Sequence, residues 1–235
     1  MLKKITLFFL WVCVSTFGQC FDGFQIGSYH VVSIKSDGSL WGWGSSDFGQ
    51  LSNTNLINPT PFQLSPAADW TKATVSNYNT FIIKNNGTLW AMGDGRFGLL
   101  GNGTTTTINP TLQQIGIATN WQKISASTQM TIGLKTDGTI WGWGQNDQYE
   151  MGNNTCCANQ LTPIQIGTAN HWVDIETSRG ASVFALKNDG TIWGWGLNLG
   201  GLLADNTVMA RSVPTQLNTD TDWASIHVGA AHILA

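Results

Sequence analysis

Trp70, Trp121, Trp172 and Trp223 are each separated by 51 residues. A second landmark keeps nearly the same period. It is the stretch Lys35–Gly44 (KSDGSLWGWG), which returns as Lys84–Gly93, Lys135–Gly144 and Lys187–Gly196, the first lysines standing 49, 51 and 52 residues apart. Of the twelve tryptophans, only Trp11 falls outside these repeat positions. A unit of this size cannot bury its apolar faces alone and must stack on its neighbours, so the chain is restricted to a propeller, a solenoid or an array.

Each unit reads as four short strands. Strand A opens at the pacing tryptophan and alternates apolar with polar residues (Trp70 to Val75, Trp121 to Ala126, Trp172 to Thr177, Trp223 to Val228). A small polar turn leads to strand B, which ends at the repeated lysine. Asp37-Gly38, Asn86-Gly87, Asp137-Gly138 and Asp189-Gly190 then read as two-residue hairpin turns in which both residues take positive φ. Strand C carries the tryptophans. A long loop follows, with Leu51, Leu100, Met151 and Leu203 ten residues after the first tryptophan of each motif, and Asn53, Asn102, Asn153 and Asp205 twelve after it. Pro61, Pro110, Pro163 and Pro214 open strand D, as suits an edge strand, because proline cannot donate to a ladder. Four antiparallel strands per unit make one propeller blade, so the fold class is all-β. Counting back from Lys35 puts strand A of the first unit at Phe21 to Ile26. The blades then run 21–69, 70–120, 121–171 and 172–222, with the opening of a fifth at 223–235, all within a repeat domain 19–235.

Residues 1–18 read as an export signal. Lys3 and Lys4 precede the apolar run Ile5 to Val14, and small residues stand at Thr16 and Gly18. The run is too short to span a membrane, which takes ~20 apolar residues. The expected location is therefore secreted or cell-surface, periplasmic or extracellular. A lipid anchor at Cys20 is not expected, because Phe17-Gly18-Gln19 is a poor lipobox. Cys20, Cys156 and Cys157 make neither a disulfide framework nor a metal site. The adjacent pair Cys156-Cys157 forms a vicinal disulfide or remains two loop thiols. Only 11% of residues are charged, the formal net charge is -3, and no basic run exists, so a nucleic-acid partner is not expected.

The order of these elements resembles the regulator of chromosome condensation repeat family, in a secreted bacterial-type form. Phe48-Gly49-Gln50-Leu51 and Phe97-Gly98-Leu99-Leu100-Gly101 match its mid-repeat loop, and Val228 to His232 matches its passage from strand A to strand B. A WD-type repeat would carry a Trp-Asp dipeptide, and a kelch repeat a Gly-Gly doublet in every blade, where this chain has only Gly200-Gly201. The resemblance implies a seven-bladed ring, which takes roughly 357 residues at this period. The expectation is that the chain is part of a longer one supplying the remaining blades.

The resemblance also puts functions in view. A plant ultraviolet receptor of the family uses clustered tryptophans as a chromophore. Recurrence in every unit instead marks Trp41, Trp90, Trp141 and Trp193 as packing between blades, with Trp70, Trp121, Trp172 and Trp223 and the glycines Gly38, Gly87, Gly138 and Gly190 as scaffold. No HExxH, GxSxG or phosphate loop occurs, so neither enzyme nor cofactor is expected. Guanine-nucleotide exchange, the activity that names the family, fits poorly with an export signal. A non-enzymatic protein-binding scaffold fits better, and glycan binding or cell-surface adhesion is its alternative. Alternating strand direction places the A–B turns and C–D loops on one rim, and the hairpin turns and D–A connections on the other. The first rim varies between units. Its candidate contacts are Tyr29, His30, Tyr78, Asn79, Arg96, Gln129, Tyr149 and Arg179.

Overall fold

The computed structural model describes residues 21, 23–53, 55–229 and 232–235. The leader 1–18, with Cys13, and Cys20 lie outside the described residues. Four antiparallel sheets follow one another along the chain, each with its strands in the spatial order A-B-C-D. In blade two these are Trp70–Val75, Asn79–Lys84, Leu89–Gly93 and Asn109–Gln114. Blade three repeats them at Trp121–Ala126, Met130–Lys135, Ile140–Gly144 and Gln160–Gln165. Blade four uses Trp172–Thr177, Ser182–Lys187, Ile192–Gly196 and Arg211–Gln216.

The two ends depart from the expected pattern. Strand A of blade one is confined to Gln25–Ile26, with Phe21 bridging Lys35 as Trp70 pairs with Lys84. Trp223 does not begin a strand; only His227–Val228 pairs, with Ile233–Leu234. A pacing tryptophan is held in its sheet by the lysine at the end of strand B, as Trp172 is by Lys187.

The hairpin turns also differ from expectation. Gly38, Gly87, Gly138 and Gly190 have φ of +79°, +76°, +76° and +77°, but the Asp or Asn before each does not enter the left-handed region. Gly38 N–H donates to the Lys35 carbonyl at 2.8 Å and Lys35 N–H to that of Ser39 at 3.0 Å, closing a three-residue loop. The extra residue lets the side-chain-bearing positions keep negative φ and leaves one left-handed site, which glycine fills. That glycine is also required by space, since a Cβ on Gly138 would lie 2.1 Å from the Asn170 carbonyl oxygen.

The prolines sit inside strand D rather than at its start. In blade three Gly142 pairs with Ile164 and Gly144 with Gln160, so Leu161, Thr162 and Pro163 all stand opposite Trp143. The proline occupies this bulge on the outer strand, where no ladder donor is missed.

The core lies between blades. Leu134, Ile140, Met151 and Ile166 of blade three pack against Trp172, Ile175, Val183 and Trp195 of blade four, and equivalent clusters join blades one to two and two to three. The four loop positions Leu51, Leu100, Met151 and Leu203 are all fully buried. Trp90, Trp141 and Trp193 pack against these inter-blade clusters. Trp41, Trp90, Trp141 and Trp193 are only half-buried, whereas the second tryptophan of the motif, Trp143 or Trp195, is fully buried. Trp143 donates to the Leu99 carbonyl of blade two at 2.9 Å, and Trp195 to the Glu150 carbonyl of blade three at 2.8 Å. Strand C alternates sides, so the two tryptophans of one motif differ by position along the strand, and it is the second that reaches the C–D loop of the preceding blade.

Candidate recognition rim

The hairpin rim is built from one relay repeated in every blade. Asp137 Oδ1 accepts from the Thr139 hydroxyl at 2.6 Å, and that hydroxyl accepts from Trp141 Nε1 at 3.0 Å. Asp37–Ser39–Trp41, Asn86–Thr88–Trp90 and Asp189–Thr191–Trp193 repeat it. The hydroxyls hold Asp37, Asp137 and Asp189 below the usual carboxylate range. Beside each relay the repeated lysine lies over aromatic rings. Lys135 Nζ is 3.7 Å from the Trp141 ring and 4.9 Å from that of Trp121, and burial lowers its pKa. These contacts recur from blade to blade, as scaffold does.

Strands A line the axis and clamp one another through polar side chains. Lys72 Nζ donates to the Gln122 carbonyl at 2.7 Å, and Lys123 Nζ to Asp174 at 2.6 Å and Glu176 at 2.8 Å. Burial pulls the Lys123 pKa down, but the two carboxylates outweigh it and leave the group above the ordinary lysine value. Sequence reasoning missed this axial network, although the spacing Lys72, Lys123, Asp174 follows the 51-residue period.

The opposite rim is irregular. Backbone bonds from Ser45 to Tyr29, Asp94 to Tyr78 and Gln145 to Gln129 tie each C–D loop to the A–B turn of its own blade, as expected from strand direction. Across the boundary of blades one and two, the Tyr29 and Tyr78 rings stack at 5.3 Å with an interplanar angle of 5°. Phe48 packs on Tyr78 at 4.5 Å, and the Arg96 guanidinium lies 4.9 Å from the Phe48 ring. Arg96 is fixed by Asp94, whose carboxylate accepts from Nη2 at 2.6 Å and Nε at 3.0 Å, raising the guanidinium pKa. The neighbouring Tyr29 hydroxyl raises that of Tyr78. The structure thus joins three candidate contacts, Tyr29, Tyr78 and Arg96, through Phe48. Sequence reading assigned Phe48 to the repeat loop, and nothing in the spacing marked it as the bridge.

Two candidates are corrected. His30 is 2% exposed and Asn79 3%, so neither is available at the rim surface. Asn79 donates to the Asp94 carbonyl at 2.5 Å and accepts from the Ser76 hydroxyl at 3.1 Å, bracing the turn from beneath. The others lie on other blades. Gln129 and Tyr149 are half-buried in blade three, and Arg179 is exposed in blade four. Tyr149 has φ +63°, at the loop position where blades one and two carry Gly49 and Gly98. A tyrosine held in this conformation costs on the order of 1–3 kcal/mol, a kind of strain that collects at functional loops. In the same loop Cys156 and Cys157 are joined as a vicinal disulfide. Among the described residues, no three His, Cys, Asp or Glu side chains cluster to hold a metal ion, and no helix is long and apolar enough to cross a membrane.

Consecutive four-stranded blades with inter-blade cores define a repeat protein of the β-propeller class. The model of the regulator of chromosome condensation (RCC1) repeat matches residues 137–185, and a second model of that repeat matches 24–50 and 121–150. The chain thus carries repeats of the regulator of chromosome condensation type. It is 24% identical over 213 residues to the ultraviolet-B receptor UVR8 of Arabidopsis thaliana, covering 83% of this chain and 47% of the receptor. Its fold is similar to that of human WBSCR16, with a TM-score of 0.79 at 16% identity over 93% of this chain and 58% of that one. It is also similar to that of Prp20p from Saccharomyces cerevisiae, with a TM-score of 0.76 at 14% identity over 86% and 51%. The chain spans about half the length of these proteins.

Proposed function

We propose that the chain is a non-enzymatic protein-recognition scaffold that binds its partner through the rim of A–B turns and C–D loops. The observation that carries this reading is the Tyr29–Tyr78–Phe48–Arg96 cluster. Aromatic and arginine side chains dominate binding hot spots, and here they are pre-ordered by stacking and by the Asp94 fork. Prp20p, which shares the fold, binds Gsp1p and histones. The leader-like residues 1–18 support export, so the partner is sought outside the cell or in the periplasm. The blades form part of a seven-bladed ring completed by further chain, in keeping with the family.

The test is capture of the native partner by variants of the two rims. Tyr29→Ala with Tyr78→Ala should weaken capture about thirtyfold, as truncation of a hot spot worth about 2 kcal/mol does. The control rim needs residues that do not hold its turns, which excludes Asp137 and Asp189. Thr136→Lys and Asn188→Lys are suitable, both side chains being exposed, and they should leave capture unchanged. Equal losses from both rims would refute the assignment.

A further inference from the structure

The rim opens toward the axis as a cup of about 500 Å³ between the A–B turns of successive blades. Ser28, Asn77, Thr128 and Arg179 reach it from four blades at equivalent turn positions. We propose that this cup receives a carboxylate-bearing segment of the protein partner, an acidic peptide stretch, with Arg179 as its counter-charge. The proposal rests on the rim reading above and specifies the partner's chemistry.

Three observations carry it. Arg179 is the one charged residue in the lining, is exposed, and forms no ion pair among the described residues. No Asp or Glu among the described residues lines the cup; the nearest along strand A, Glu176 and Asp174, are held by Lys123 deeper on the axis. The third is the state of the turns' polar groups. Three acceptors are already engaged: Asn77 Oδ1 accepts from the Ser28 hydroxyl at 2.7 Å, the Arg179 carbonyl from the Thr128 hydroxyl at 3.4 Å, and Ser178 Oγ from Gly180 N–H at 3.2 Å. The backbone N–H groups of Ser28, Asn77, Thr128 and Arg179 donate to no protein acceptor among the described residues. Spare N–H groups around a concavity with one unpaired guanidinium suit an anionic oxygen ligand. The occupant is a peptide rather than a free anion because the cup adjoins the aromatic cluster. Ser28 and Asn77 immediately precede Tyr29 and Tyr78, so a chain lying on the tyrosines brings an acidic side chain to the mouth.

Proton–nitrogen correlation spectra of the chain, titrated with octaglutamate, octaglutamine and free glutarate, test the proposal. Octaglutamate should move the amides of Ser28, Asn77, Thr128 and Arg179 together. Octaglutamine should move none of them, and glutarate should bind at least tenfold more weakly than octaglutamate. Arg179→Gln should weaken octaglutamate about tenfold, the loss of one charge-assisted hydrogen bond, with near-ultraviolet dichroism unchanged because the side chain is exposed. Unmoved amides, an Arg179→Gln variant of undiminished affinity, or glutarate binding as tightly as the peptide would each overturn it. If octaglutamate fails while partner capture still depends on Tyr29 and Tyr78, the cup is wrong and the rim stands. If octaglutamate binds as predicted while capture ignores the tyrosines, the cup stands as a carboxylate site and the rim reading falls.

Discussion

His30 Nε2 in blade one lies 3.0 Å from Thr80 Oγ1 in blade two, and that hydroxyl donates to the Gln50 carbonyl at 2.7 Å. The threonine proton is committed to Gln50, so His30 must donate from Nε2, leaving Nδ1 without a proton. Nδ1 is buried and has no hydrogen-bond partner among the described residues. Burial lowers the His30 pKa from 6.5 to about 4, against the backbone of Asn79, which favours the charged form.

This contact predicts acid sensitivity at the boundary of blades one and two. A histidine whose folded pKa is depressed contributes stability that is complete above pH 6.5 and is lost as pH falls toward 4. The full difference is on the order of 3 kcal/mol. Urea unfolding of the parent chain and of His30→Gln at pH 7.5, 6, 5 and 4 checks it. The parent should lose stability more steeply than the variant over that range; parallel curves would contradict the assignment.

A second prediction concerns the two tryptophans of one motif. Trp143→Ala empties a fully buried site and removes one of the two donors to the Leu99 carbonyl, leaving the Thr131 hydroxyl at 3.0 Å, and should cost about 3–5 kcal/mol. Trp141→Ala removes a half-buried ring and its bond to Thr139, and should cost clearly less. Denaturant midpoints of the two variants measure the difference.

Much of this architecture is legible in the sequence, because a 51-residue period, Asx-Gly turns and alternating strands allow few folds. The side of each residue is harder to read. Trp141 and Trp143 look alike in a WGWG stretch, and only the packing of strand C against the preceding loop tells them apart. Asp137-Gly138 is compatible with a two-residue or a three-residue hairpin, and the choice turns on whether Asp137 must adopt positive φ. His30 and Asn79 look like surface turn residues. Their side chains fold inward, one to Thr80 across the blade boundary and the other beneath the Asp94 loop. Tyr29 and Tyr78 are 49 residues apart, and their stacking follows only once adjacent blades bring equivalent turns side by side.

Glu150 gives a third prediction. It is fully buried where blade one carries Gln50; Oε2 accepts from Gln148 N–H at 2.7 Å, and Oε1 has no partner among the described residues. Burial raises its pKa. Its favourable contribution is therefore present at low pH and is lost as pH rises through the raised value. Glu150→Gln removes the buried charge while keeping the Gln148 contact, as Gln50 keeps that to Phe48 N–H at 2.9 Å. It should stabilise the chain by about 1 kcal/mol at pH 7 and by little at pH 4. Paired unfolding curves at the two pH values check both halves.

Hydrogen exchange of the chain, alone and bound to its captured partner, tests rim recognition most directly. Exchange should slow at residues 28–30, 77–79 and 94–98, with the hairpin turns at 36–38 and 136–138 unchanged. Slowing confined to the hairpin turns, or spread equally over both rims, would contradict it.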